Sequence, residues 1–148
     1  MTENVLHVTR VFDAPRQLVF SCMIEPEHLT HFWGPIGTSA PLDQITVDAR
    51  PGGAFRTVMV NDADGSTYPT SARYTEVSAP ERLSWVEEHS GMTVTATFTD
   101  LGDDRTQVDI EQANVPVQMM DPAARAGFLT SLDRFAAHLA RLTGAERS

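Results

Sequence analysis

The chain has 148 residues, with 11 basic residues against 20 acidic ones and a formal net charge of −9. That length fits one domain, spanning residues 1–148 with a core over about 5–143, large enough to bury a core without staples. The acidic balance argues against a nucleic-acid backbone or an anionic membrane as partner. All the basic residues are arginine, which excludes a Schiff-base lysine, a lysine general base and a P-loop lysine.

The single cysteine, Cys22, cannot form an internal disulfide or a cysteine-rich metal site, and reads as a small buried hydrophobe. No apolar run is long enough to span a bilayer, and Met1–Thr9 lacks the basic and apolar regions of a secretory signal. A reduced, cytoplasmic setting without membrane insertion is the expectation.

Residues 5–12 alternate in polarity and predict a strand. Asp13-Ala14-Pro15 then opens a helix over 16–23, with Leu18, Val19, Cys22 and Met23 at helical spacing. Pro26 interrupts, 27–32 gives a second short helix, and Trp33-Gly34-Pro35 ends it. From here the period is close to two. Strands are predicted over 45–48, 54–60, 67–78, 82–89, 92–99 and 105–112. The turns between them are Arg50-Pro51-Gly52-Gly53, 61–65, Ala79-Pro80-Glu81, Ser90-Gly91 and Gly102-Asp103-Asp104. Such short gaps favour antiparallel hairpins. Asp121-Pro122 opens a long helix that stops at Gly144, with Ala124, Phe128, Ser131, Leu132, Phe135, Leu139 and Leu142 on one face. Segregated strands and helices predict an α+β domain in which the long helix covers the dry face of a curved sheet, leaving room for a cavity.

Four stretches carry a resemblance. They are Phe12-Asp13-Ala14-Pro15 with Val19-Phe20, Pro26-Glu27-His28-Leu29 leading to Phe32-Trp33-Gly34-Pro35, Asp48-Ala49-Arg50-Pro51-Gly52-Gly53-Ala54-Phe55, and Tyr74-Thr75-Glu76-Val77 followed by Pro80-Glu81-Arg82-Leu83. Gly127-Phe128 and Ser131-Leu132 add a fifth, with Phe128 in an aromatic slot, while Ala72 stands where a glycine is usual. On these the chain resembles the activator of heat shock protein 90 ATPase homologue (AHSA-type) family of the START-like, SRPBCC superfamily. The resemblance implies the helix-grip fold: a curved antiparallel sheet of about six or seven strands gripping a C-terminal helix, with two short helices after the first strand. Members of the family include presumed small-molecule binders and stress-related proteins. A chaperone partner is not carried over, because the eukaryotic co-chaperone has an additional N-terminal domain. Homodimerisation is compatible with the class.

The residues themselves offer several candidate chemistries. Glu25, Glu27, His28 and His31 cluster, and His28 and His31 could share a helical face. Pro26 breaks that segment and no third ligand is placed, so a solvated helix start is expected and no metal or other cofactor. Glu87 and His89 share the alternation of Leu83 and Trp85, and Tyr74 and Glu76 share that of Ala72. Glu87, His89 and Tyr74 are therefore the candidate acid/base groups, with Glu76 available to pair with Arg82 or Arg56. No nucleophile-elbow, zincin or dinucleotide fingerprint is present, and Asp62-Ala63-Asp64-Gly65 reads as a hairpin turn. The expected ligand-contacting set is Phe32, Trp33, Phe55, Met59, Tyr74, Trp85, Glu87, Phe98, Phe128, Ser131 and Phe135. Met119 and Met120 are expected at a flexible lip, and the small Gly127 and Ser131 leave space opposite the sheet. The expected function is binding of a small hydrophobic or amphipathic molecule. The alternatives are an enzyme of cyclase, hydratase or lyase type in the same cavity, and a protein-interaction module working through the acidic surface.

Overall fold

The computed structural model describes residues 5–144, apart from the side chains of Gln118 and Met119. The expected place of Met119 at a lip therefore lies outside the described residues. Strand β1 (Leu6–Phe12) is followed by helices α1 (Arg16–Ile24) and α2 (Pro26–Leu29). Then come β2 (Thr38–Ser39), β3 (Thr46–Val47), β4 (Ala54–Asn61), β5 (Thr67–Ser78), β6 (Arg82–Glu87), β7 (Thr93–Gly102), β8 (Arg105–Ala113) and the long helix α3 (Pro122–Thr143). All strand pairs are antiparallel, in the order β1-β8-β7-β6-β5-β4-β2, with β3 also on β4. This is the helix-grip arrangement. The two-residue β2 carries too little pattern to be read from sequence.

Period-two alternation sets the inward face. Phe55 and Thr57 of β4, Ala72 and Tyr74 of β5, Leu83 and Trp85 of β6, Val94, Ala96 and Phe98 of β7, and Val108 and Ile110 of β8 are all buried. A register shift between Tyr74 and Glu76 breaks this rhythm. Tyr74 pairs with Trp85, but Glu76 pairs with Ser84. Tyr74 and Glu76 therefore do not share the face that strict alternation predicts. The extra residue of the bulge turns Glu76 out, where its carboxylate meets Arg82 at 3.1 Å.

Helix α3 begins at Pro122, whose missing N–H costs nothing in a first turn. It ends at Gly144, left-handed at φ 77°, whose N–H donates to Ala140 O. Leu132, Phe135 and Leu139 are buried against the sheet and the short helices. Phe135 stacks on Phe32 at 4.3 Å between centroids and lies 4.9 Å from Phe12. Leu142, expected on this face, is 44% exposed because the last turn runs past the core.

The turn into β4 is fixed by its glycines. Gly52 is left-handed at φ 84°. Gly53 is tighter still: a Cβ there would sit 1.9 Å from Asp48 O. Its carbonyl accepts from Tyr74 N at 2.9 Å, and Gly52 N donates to Tyr74 O at 2.8 Å. The turn therefore clips β5 to the start of β4. Tyr74 itself is buried, stacks on Phe55 at 5.5 Å, and has a hydroxyl with no hydrogen-bond partner among the described residues.

Four stability outcomes are expected, read by urea denaturation. Phe135→Ala should cost about 3–5 kcal/mol, the lost transfer energy plus an unfilled cavity. Gly52→Ala should cost about 1–2 kcal/mol for a left-handed alanine. Gly53→Ala should cost more than Gly52→Ala, since backbone must move to admit its methyl. Tyr74→Phe should be neutral or should stabilise by up to about 1 kcal/mol, because it removes an unsatisfied buried hydroxyl; a clear loss would show that the hydroxyl has a partner.

Candidate functional site

A cavity of about 440 Å³ lies between the concave face of the sheet and α3. That volume is in the range of small-molecule sites. Its floor is a set of inward side chains two apart along neighbouring strands: Phe55, Ala72, Trp85, Glu87, Val94, Ala96, Val108, Ile110 and Gln112. Cross-strand register puts Ala72 beside both Phe55 and Glu87. A methyl between an aromatic ring and a carboxylate leaves a hollow there. The roof is Gly127, Phe128, Ser131, Leu132 and Phe135 of α3. Trp33, Gly34 and Pro35 face Ala123 and Ala124 across the rim, where those two alanines are exposed.

The loop that forms this rim is docked on α3. The Arg134 guanidinium donates from one nitrogen to Gly34 O at 2.8 Å, Pro35 O at 3.1 Å and Thr38 O at 3.2 Å. Ile36 N donates to Thr130 Oγ1 at 3.1 Å. Partial burial among neutral carbonyls lowers the arginine's affinity for its proton, offset by the Asp62 charge. Trp33 is fixed by its indole N–H, which donates to Thr57 Oγ1 at 3.1 Å, and Thr57 bonds in turn to Thr70 Oγ1 at 2.7 Å.

Of the residues expected to contact ligand, Phe32, Trp33, Phe55, Met59, Trp85, Glu87, Phe128, Ser131 and Phe135 line the cavity. Tyr74 and Phe98 do not. Tyr74 sits behind the Phe55 ring, stacked on it, and burial pushes its phenol further above the ordinary range. Phe98 is covered instead by Phe20 of α1, with centroids 5.2 Å apart. His89 is also displaced: β6 ends at Glu87, and His89 lies exposed in the following turn. The three acid/base candidates therefore do not meet. Met120 packs against the core but does not line the cavity.

Sequence reasoning missed Thr70 and Gln112, two polar lining residues. Both follow the alternation already used: Thr70 precedes Ala72 by two and Gln112 follows Ile110 by two. Gln112 is buried, and its amide makes no protein hydrogen bond among the described residues while remaining open to the cavity. Glu87 accepts from Ser90 Oγ at 2.9 Å and has no cation at ion-pair distance among the described residues. Ser131 donates to Phe128 O at 2.7 Å, within its own helix. No arginine or histidine among the described residues lines the cavity.

His28 departs from the solvated helix start expected of it. Its Nδ1 lies 2.9 Å from His138 Nε2 of α3, and His31 stacks on His138 instead of presenting itself beside His28. The third polar partner came from over 100 residues away, which local spacing cannot show.

Residues 13–140 match the family described as Activator of Hsp90 ATPase homolog 1-like protein. Protein CV1439 from Chromobacterium violaceum is 26% identical, with a TM-score of 0.81 over 92% of this chain and 97% of that one. Protein NE0264 from Nitrosomonas europaea is 24% identical, with a TM-score of 0.80 over 95% and 96% of the two chains. The AHSA1 protein of Silicibacter pomeroyi is 24% identical, with a TM-score of 0.77 over 93% and 99%. No curated protein matches the sequence. The fold is, in general terms, that of a ligand-binding or interaction module. By its match over most of its length, the chain belongs to the Activator of Hsp90 ATPase homolog 1-like family.

Proposed function

We propose that the protein binds a small neutral amphipathic molecule in the cavity between sheet and α3. The observation that carries this reading is the cavity's lining. It is apolar over most of its wall, with Glu87 and Gln112 as polar groups short of protein partners, and no basic side chain, among the described residues. Burial of an apolar body there contributes roughly 25 cal/mol per Å². The polar end of the ligand is set by what the wall lacks. A carboxylate such as Glu87 can only accept when ionised, and a buried amide such as Gln112 both donates and accepts. A hydroxyl or amide head satisfies both, whereas an anionic head would sit against Glu87 with no arginine to offset it. Fatty-acid anions are therefore disfavoured as ligands. The single buried thiol is compatible with a cytoplasmic setting for such a carrier or sensor.

The chain's two tryptophans, Trp33 and Trp85, both line the cavity. Titration with decanol is expected to quench or shift their emission, and decanoate is expected to bind at least about tenfold more weakly, a difference of about 1.4 kcal/mol. Glu87→Gln should narrow that gap by admitting the anion. Gly127→Phe should abolish the response while keeping the far-UV circular dichroism, since a Cβ at Gly127 already lies 3.5 Å from Pro35 and a ring would close the rim. Equal affinity for decanol and decanoate would overturn the neutral-ligand reading. Absence of any response to either would favour an interaction module instead.

A further inference from the structure

We propose that Cys22 of α1, His28 of α2 and His138 of α3 form a binding site for a divalent ion of the zinc class, separate from the ligand cavity. The Cys22 sulfur and one ring nitrogen from each histidine all lie within 4.8 Å of one another. The two imidazoles already meet edge on, His28 Nδ1 to His138 Nε2 at 2.9 Å. A tetrahedral zinc with bonds of about 2.3 Å to sulfur and about 2.05 Å to nitrogen needs N···N near 3.3 Å and S···N near 3.6 Å. The nitrogens need only part by a few tenths of an ångström, and the sulfur need close by about 1.2 Å at most. One thiolate and two imidazoles is a borderline-soft set that suits zinc or cobalt over calcium or magnesium. Three protein ligands leave a fourth position open for water.

The surroundings fit the same purpose. Cys22 is fully buried and His138 is 5% exposed, while His28 reaches the surface. The Glu25 carboxylate lies 3.6 Å from His28 Nε2, the ring nitrogen turned away from His138. A carboxylate behind a histidine fixes the tautomer that leaves the other nitrogen free to ligate. His138 is held in orientation by the ring of His31, stacked at 4.9 Å. Burial, followed by the neighbouring His31, His28 and Arg141 charges, brings the His138 pKa down to about 4, so its imidazole is neutral at neutral pH. Burial and the Glu25 charge raise the Cys22 thiol, so it carries a proton that binding has to displace. Binding then exchanges that proton for the ion: the S–H bond breaks, a metal–sulfur bond forms, and one proton leaves to solvent. Arg141 donates toward His138 Nδ1 at 3.4 Å and so places the His138 proton on Nε2. Loading moves that proton to Nδ1, and the exposed Arg141 side chain turns away.

The test is cobalt(II) titration of the chelator-treated full chain, followed by zinc in a thermal melt. The expected result is one cobalt per chain, with a thiolate-to-cobalt charge-transfer band and the visible bands of a four-coordinate ion. Cys22→Ser should remove the charge-transfer band. His28→Gln, at a partly buried position where glutamine keeps a polar group facing His138, should abolish the zinc-induced rise in melting temperature. Glu25→Gln should weaken the ion by about 10–100-fold, and His31→Gln should leave the cobalt spectrum in place. A cobalt spectrum without sulfur character, or a zinc-induced shift that survives His28→Gln, would overturn the site.

Discussion

One helix has to cover a sheet much wider than itself. An α-helix with its side chains is about 10–12 Å across, and strands lie about 4.8 Å apart, so α3 shields only part of the concave face. Aromatic rings, the two short helices and a hollow make up the difference. The hollow is a geometric remainder of the fold. What is particular to this chain is the selection of residues along its walls: alanine at 72 between Phe55 and Glu87, glycine at 127 opposite Pro35, and no cation in the lining among the described residues.

The face of α3 that looks inward serves two neighbourhoods in succession. Phe128, Ser131 and Phe135 bound the cavity, and His138, three residues further, sits among Cys22, His28 and His31. The stacked rings of Phe32 and Phe135 stand between the two. That partition keeps an apolar compartment and a polar cluster apart although they share one helix face.

The fold was legible because its signals are local: alternation in the long strands, helical spacing in α3, Pro and Gly at the ends. The resemblance added the grip of helix by sheet. The site was legible only as far as strict alternation holds. Phe55, Trp85 and Glu87 follow it into the cavity. A bulge after Tyr74 overrides it and turns Glu76 out, and the early end of β6 leaves His89 in a turn. Tyr74 and Phe98 do point inward, but which element covers them is a tertiary fact, Phe55 for one and α1 for the other. The Cys22, His28 and His138 cluster is likewise assembled from three elements, and its spacing in sequence carries no trace of it.

The clamp of Arg134 on the loop before β2 has a kinetic meaning. The three carbonyls it holds belong to the same stretch, Gly34 to Thr38, whose first residues form the cavity rim. Widening the rim by moving this loop means breaking several hydrogen bonds to one charged group together, since a single guanidinium holds them all. Such an event is a local unfolding rather than a rotamer flip, and falls in the microsecond-to-second range instead of nanoseconds. Where passage needs that widening, the residence time of an occupant is governed from outside the cavity, by an arginine that does not line it.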